Sequence, residues 1–292
     1  MKTNMLRYAI LVFAAAILLL SCSKETAAPD TVSPVPTPRL KAASGWVNVF
    51  TDNFDQTGNL SKWIAAERFD YNSKLCKYLA LVPHIASCDN LSCLEITATK
   101  NGNIWNSGFL TSKFSFKPAL NEEYHTSAKI KFTALKGLNY VDFFTTYGAW
   151  PAFWTVQGNQ WPAYGEIDIV EGYTYGTYAR YAANVIYGKG RNALGTTCER
   201  PYSVSEGWHV YDQYWANAGG KVTVTILRDG IQVATYTNAV NSKLKLENFG
   251  PHTIMLNLNV GDNYGIFNNS LINVMDKTMM WVDYVSVDKR TL

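Results

Sequence analysis

Three acids, Glu166, Asp168 and Glu171, stand in the run Gly165-Glu166-Ile167-Asp168-Ile169-Val170-Glu171, whose other members are apolar apart from the leading glycine. In a regular strand side chains alternate between faces, so Glu166 and Asp168 share one face while Ile167 and Ile169 point the other way. Glu171 is five residues beyond Glu166, an odd separation that would turn it away. One extra residue, a β-bulge near Ile169-Val170, returns it to the acid face. With the bulge the two Glu are about four strand steps apart, roughly 13 Å between Cα atoms at ~3.3 Å per step. Leaning together, their side chains close this to the ~5 to 5.5 Å at which two carboxyls act in turn as nucleophile and acid/base on one glycosidic carbon. Asp168, one carbon shorter, leaves the gap open. Like charges this close cannot all ionise comfortably, so at least one pKa must rise, and such groups concentrate at functional sites.

Alternating acid and Ile also describes a solvent-facing sheet, and three neighbouring acids could hold calcium. A solvent-facing strand normally mixes signs. Here no Lys or Arg occurs between Lys136 and Arg180, and aromatics surround the acids instead.

The elements that must position this strand are themselves β. From Trp46 onward no stretch sustains helical periodicity, whereas short alternating segments bounded by Gly, Asn, Asp or Pro recur. The clearest is 221–236, in which Val222, Val224 and Ile226 alternate with Thr223 and Thr225 before an Asp229-Gly230 hairpin turn. Further strands are expected over 95–100, 109–117, 127–133, 254–260 and 281–288. Strands without intervening helices predict an all-β antiparallel sandwich, and no second composition break divides it, so 45–292 reads as one catalytic domain.

Composition supports a large core: 47% of the 292 residues are hydrophobic, 17% are charged and 14% are aromatic, so the chain has ample area to bury. The formal net charge of +3 includes Lys2 and Arg7; without them 24 basic residues face 23 acidic ones, about +1. That balance gives no broad footprint for nucleic acid. Four His, with no C-x-x-C or H-E-x-x-H spacing, argue against a zinc enzyme. No metal or cofactor is required on this reading, although a structural calcium ion is compatible with it.

Lys2 and Arg7 precede a charge-free apolar run of 12 residues, 9–20, too short to span a bilayer. Leu20-Ser21-Cys22 follows at once and resembles the bacterial lipobox, in which the Cys becomes the lipidated first residue. An ordinary signal peptide ending in Cys, or an uncleaved anchor, explains the position of Cys22 less well. The expectation is a signal peptide over 1–21 and a lipid anchor on Cys22 that holds the protein on the outer membrane, at the cell surface or the periplasmic face. Ser23-Lys24-Glu25 weakly resembles the Lys-acidic signal that sends some lipoproteins to the exterior. Residues 22–44, with Pro29, Pro34, Pro36 and Pro38, read as an extended tether. Cys76, Cys88, Cys93 and Cys198 remain, and four Cys allow three pairings in an exported protein. An Asn90-Leu91 hairpin turn would set Cys88 opposite Cys93, as a disulfide requires, while buried free thiols are the alternative.

Gly148-Ala149-Trp150-Pro151-Ala152-Phe153-Trp154, then Trp161-Pro162-Ala163-Tyr164-Gly165 and the acid strand, together resemble glycoside hydrolase family 16, in which W-P-A-F-W precedes G-E-I-D-I-x-E. Looser likeness runs from about Trp46 to Asp288. The resemblance implies a concanavalin A-like β-jelly-roll of two curved sheets with the substrate cleft on the concave face. It implies Glu166 as nucleophile, Glu171 as acid/base, Asp168 as assisting acid, and Trp150, Trp154 and Trp161 as sugar-stacking residues near the cleft, with core packing an equal alternative for Trp154. Glu171 is expected to begin protonated, its pKa raised by the two neighbouring carboxylates. The bulged form of the motif is similar to laminarinases and marine galactanases. Two departures bear on the sugar: Ile186 replaces a His near the leaving-group side, and Phe109 replaces a frequent Arg. The implied activity is endo-hydrolysis with retention, on β-1,3-glucan first and on a β-galactan or host glycan second, by a monomer whose partners are a polysaccharide and, through its anchor, a membrane. A non-catalytic glycan-binding lipoprotein would keep the aromatics without needing all three acids, and a structural adhesion module has only the tether in its favour.

Overall fold

The computed structural model describes residues 45–292 apart from 56–58, 72–74, 159–160, 177–178, 189–191, 200–206, 242, 263–264 and 273–274. Its first strands are β1 (Val47–Asp52), β2 (Trp63–Ala65), β3 (Arg68–Tyr71), β4 (Cys76–Tyr78), β5 (His84–Cys88), β6 (Leu91–Asn101) and β7 (Ile104–Ser107). There follow β8 (Phe109–Phe116), β9 (Glu122–Lys136), β10 (Asn139–Val141), β11 (Ala149–Val156), β12 (Glu166–Thr174), β13 (Ala179–Tyr187) and β14 (Asn192–Glu199). The last are β15 (His209–Ala218), β16 (Lys221–Arg228), β17 (Ile231–Thr237), β18 (His252–Val260) and β19 (Lys277–Thr291). Every strand expected from alternation is present, and Asp229 and Gly230 form the β16–β17 turn with φ of 51° and 77°.

Two sheets make a β-jelly-roll. A 12-stranded sheet runs β17-β16-β15-β9-β19-β6-β7-β4-β3, with β1 on β19, β10 on β9 and β5 on β6. A seven-stranded sheet runs β14-β13-β12-β11-β18-β8-β2. All pairings are antiparallel except β4 with β7. Alternation sends one set of side chains into the space between the sheets: Phe153 from β11, Ile167 from β12, Leu256 from β18 and Ile130 from β9 are fully buried in one core cluster. At roughly 1.5 to 3 kcal/mol per buried side chain of this size, these contacts hold the acid strand from behind.

The cysteines depart from expectation. The β5–β6 turn is Asp89-Asn90, with φ of 51° and 62°, the two positive values of a tight hairpin turn. Cys88 therefore opposes Leu91 and Cys93 opposes Ala86, two residues out of the register a disulfide needs. Cys76, Cys88 and Cys93 are free thiols. Burial pushes Cys93 up to about 12 and Cys88 up to about 11, so both stay protonated at neutral pH. The side chain of Cys198 lies outside the described residues, as do the segment 1–44 and Cys22. Among the described residues no helix is long and apolar enough to cross a membrane.

Candidate active site

Strand β12 lies between β11 and β13. Along β11, Ala152 opposes Glu171, Phe153 opposes Val170 and Trp154 opposes Asp168, which leaves Ile169 as an extra residue. Along β13, Asn184 opposes Asp168 and Ala182 opposes Glu171. The bulge thus falls where the sequence places it. Ile167, Ile169 and Val170 all enter the core, and the three acids are left together on the outer face of the seven-stranded sheet.

The acids differ in what surrounds them. Asp168, in the middle, is 3% exposed, while Glu166 and Glu171 are half-buried. Burial, then the charges of Glu171 and Glu166, raise the Asp168 carboxyl well above the usual range, and a hydrogen bond shared with Glu166 acts in the same direction. Asp168 Oδ2 is buried without a partner among the described residues. Glu171 is also raised, but by burial, against three donors that favour its ionised form: the Tyr173 hydroxyl, Trp150 Nε1–H and the Asn184 amide. The expected cause is therefore corrected: the neighbouring carboxylates act mainly on Asp168.

All three tryptophans from the sequence reach this face, and each turns its N–H to a partner. Trp150 Nε1 donates to Glu171 Oε1 at 3.0 Å, Trp161 Nε1 to Glu166 Oε2 at 2.6 Å, and Trp154 Nε1 to Asn257 Oδ1 at 2.7 Å. Trp161 is 41% exposed beside the nucleophile candidate. Phe109 opposes Asn257 and packs edge-on against Trp154, with ring centroids 6.1 Å apart. Ile186 opposes Glu166, at the opposite end of the acid run from Glu171 and so away from the expected leaving-group side.

Asn184 was not singled out in the sequence, yet its amide donates to Glu171 Oε2 and also bonds Asp168. Tyr173 and Asn257 were missed as well. Tyr173 follows Glu171 by two residues on the same face, so alternation alone could have found it. Asn184 and Asn257 needed the strand register.

Gly165 sets the entry to the acid strand. Its φ is +86°, and a Cβ there would come within 2.4 Å of the Phe249 ring. The loop before it is tied back by Gly165 N to Pro162 O at 3.1 Å and by Gly250 N to Tyr164 O at 3.0 Å. Behind the strand His252, fully buried, bonds the same Tyr164 carbonyl through Nε2 at 3.3 Å, with its Nδ1 3.0 Å from the Thr155 hydroxyl. Among the described residues no group of three or more His, Cys, Asp or Glu is arranged to hold a metal ion. The chemistry available is that of a half-buried carboxyl, a second carboxyl with raised proton affinity, and a buried acid between them whose proton affinity is raised further.

A family model described as "XgeA-like, catalytic GH16 domain" matches residues 126–184, the segment that carries Trp150, Trp154, Trp161, all three acids and Asn184. No curated protein matches the chain. Among solved structures, an endo-1,3-β-glucanase from Streptomyces sioyaensis superposes with a TM-score of 0.71 at 20% identity, covering 86% of this chain and 99% of its own. A GH16 enzyme of the Bacteroides ovatus mixed-linkage glucan locus, in complex with a glucan product, gives 0.63 at 24% identity over 82% and 99%. A protein described among endo-acting O-glycanases with which gut microbiota initiate mucin breakdown gives 0.62 at 18% identity over 85% and 92%. At these identities the likeness establishes the jelly-roll fold. The family match on the acid-bearing segment, together with that fold, supports a glycoside hydrolase.

Proposed function

We propose that this chain is a retaining endo-β-glycanase in which Glu166 attacks the anomeric carbon, Glu171 protonates the departing oxygen and then activates water, and Asp168 manages the charge between them. The observation that carries the reading is the bulged strand β12, which gathers three carboxyls on one face with Asp168 buried in the middle. In the first half-reaction a C–O bond forms to Glu166 as the glycosidic C–O bond breaks, and the proton of Glu171 goes to the leaving oxygen. In the second, Glu171 takes a proton from water as the oxygen of that water displaces Glu166. The raised proton affinity of Glu171 suits the first role, and its three donors suit the ionised form it takes between the two steps.

The leading substrate is a β-1,3-glucan, in keeping with the bulged motif and with the endo-1,3-β-glucanase of similar fold. A second reading, a β-galactan or a host glycan, is favoured by Ile186 opposite Glu166 and by Phe109 on Trp154, which make apolar surface where a polar partner was expected. The protein acts as a monomer held by lipidated Cys22 on the bacterial outer membrane, with residues 22–44 as its tether. The test is digestion of purified β-1,3-glucan, mixed-linkage glucan, galactan and mucin glycans. A ladder of oligosaccharides whose first-formed anomer keeps the β configuration supports the reading. An inverted anomer, or Glu166→Gln with undiminished activity, overturns it. Cys22→Ser should release the protein from membranes.

A further inference from the structure

The role implied for Trp161 is a ring face under a sugar, but its indole N–H lies 2.6 Å from Glu166 Oε2. We infer that Trp161 is a positioning residue for Glu166: its N–H fixes the rotation of the nucleophile's carboxylate and favours the ionised form, apart from any contact of the ring with sugar. The inference deepens the proposed mechanism and rests on it for the word nucleophile; the hydrogen bond and its effect on Glu166 do not.

The chemistry of the donor matters. An indole N–H donates and never accepts, so it cannot hold Glu166 in its protonated form as a hydroxyl or a second carboxyl could. Its neighbour Asp168, whose carboxyl is raised well above the usual range by burial and by the charges of Glu171 and Glu166, shares a hydrogen bond with Glu166 as well. Glu171 stands among three donors, one of which is again an indole N–H, from Trp150. The two glutamates are thus each oriented by a tryptophan, Trp150 from strand β11 and Trp161 from the connection between β11 and β12.

That loop is built to hold position. The Tyr164 carbonyl accepts from Gly250 N and from buried His252, Gly165 N closes a turn on Pro162 O, and Gln157 N reaches Gly165 O at 3.4 Å. Phe249 occupies the space over Gly165 where any side chain would go. An anchored backbone carrying a 41% exposed indole places the N–H repeatably. A residue serving only as a stacking platform gains nothing from an N–H aimed at the carboxylate.

Trp161→Phe separates the two roles, since it keeps an aromatic face and deletes the donor, whereas Trp161→Ala deletes both. The readout that needs no substrate is the titration of Glu166, followed by NMR on protein carrying 13C-carboxyl glutamate, with Glu166→Gln to assign the signal. Loss of a donor to the charged form should move that titration up by about one pH unit or more in Trp161→Phe. In kinetics the same variant should lose about tenfold or more in kcat with little change in KM, and the acid limb of its pH profile should shift upward, while Trp161→Ala should raise KM in addition. An unmoved Glu166 titration and an unchanged kcat in Trp161→Phe would overturn the inference and leave stacking as the role. Failure of the glycanase reading appears elsewhere, as an inactive or inverting wild-type enzyme, and leaves the titration result to be judged by itself.

Discussion

Asn184 stands opposite Asp168 across the β12–β13 pair, yet its amide reaches along the sheet to Glu171 Oε2, two residues past the bulge. One side chain thereby links the buried acid to the acid/base candidate. The bulge makes this reach available, because it shortens the pairing between Asp168 and Glu171 to the span of Asn184 to Ala182.

Asn184→Ala should cost catalysis rather than fold. Its amide stabilises ionised Glu171, so removing it should raise the Glu171 pKa further and move the basic limb of kcat/KM to higher pH. A hydrogen bond to a charged group is worth about 1.5 to 3 kcal/mol, so a loss of roughly ten- to a hundredfold is expected in the step where Glu171 gives up its proton, because the amide stabilises the carboxylate that forms there. A comparison of leaving groups checks this: hydrolysis of an unactivated glycan should lose most, and that of an activated aryl glycoside, which needs no proton, should lose little. A pH profile that coincides with wild type would remove Asn184 from the mechanism.

Asp168→Asn should make the protein more stable and less active. The folded chain holds the Asp168 proton well above the pH at which an unfolded chain releases it, because of burial and of its two charged neighbours. Above the ordinary aspartate range the folded state therefore binds more protons than the unfolded state, and stability falls as pH rises until the folded group itself ionises. Asn removes that dependence while keeping the volume and a donor. Urea unfolding between pH 4 and 8 should show the variant gaining on wild type as pH rises, with kcat reduced and the product anomer unchanged. A variant less stable than wild type at pH 8 would contradict the assignment.

What could be read from the sequence follows from range. The acid strand was legible because alternation of Ile with Asp and Glu, and the odd spacing of Glu171, are local and leave one remedy, a bulge at Ile169-Val170. Asp229-Gly230 was legible for the same reason, since a two-residue turn with positive φ declares itself. The β5–β6 turn did not, because Asp89-Asn90 and Asn90-Leu91 are both acceptable pairs of residues and a slip of one changes which residues oppose the cysteines. Asn184 and Ile186 were harder still. Their partners on β12 depend on where the connection after Thr174 ends, so composition marks them only as members of some strand. His252 gives no local sign that it braces the Tyr164 carbonyl 88 residues away.

Gly165→Ala tests how tightly the entrance to β12 is fixed. The φ of +86° disfavours any side chain, and the Cβ would fall inside the Phe249 ring contact at 2.4 Å. The backbone part alone costs about 1 to 3 kcal/mol, and the clash adds to it. Because Trp161 and Glu166 flank this residue, activity should fall further than the loss of folded protein accounts for. Phe249→Leu in the same chain should return part of the stability by opening space, but not the part due to φ. Denaturant unfolding of the two single variants and the double variant separates these contributions, and a fully additive pair would show that Phe249 and residue 165 do not meet.

His252 should give the protein an acid-side weakness of its own. Burial against Trp215 and Phe249 pushes the imidazole down from 6.5 to about 3, with the Lys117 charge acting the same way, so the neutral form is favoured at neutral pH. Neutral His252 donates through Nε2 to the Tyr164 carbonyl, which can only accept, so its Nδ1 takes the Thr155 proton. Thr155 can then accept, and Gln213, whose side chain lies 3.4 Å from the Thr155 hydroxyl and whose Nε2 has no partner among the described residues, supplies a donor with its amide nitrogen turned to Thr155. Between about pH 3 and 6.5 the unfolded chain binds a proton at His252 and the folded chain does not. Stability that is fully present above 6.5 therefore declines as pH falls, at roughly 1.4 kcal/mol per pH unit. His252→Gln should be less stable than wild type at pH 8, by about 1 to 3 kcal/mol for the disturbed bonds, yet lose less on acidification, so that the two curves approach each other toward pH 4. Parallel curves from pH 8 to 4 would show that His252 is protonated in the folded chain and that the Gln213–Thr155–His252–Tyr164 chain does not run in this direction.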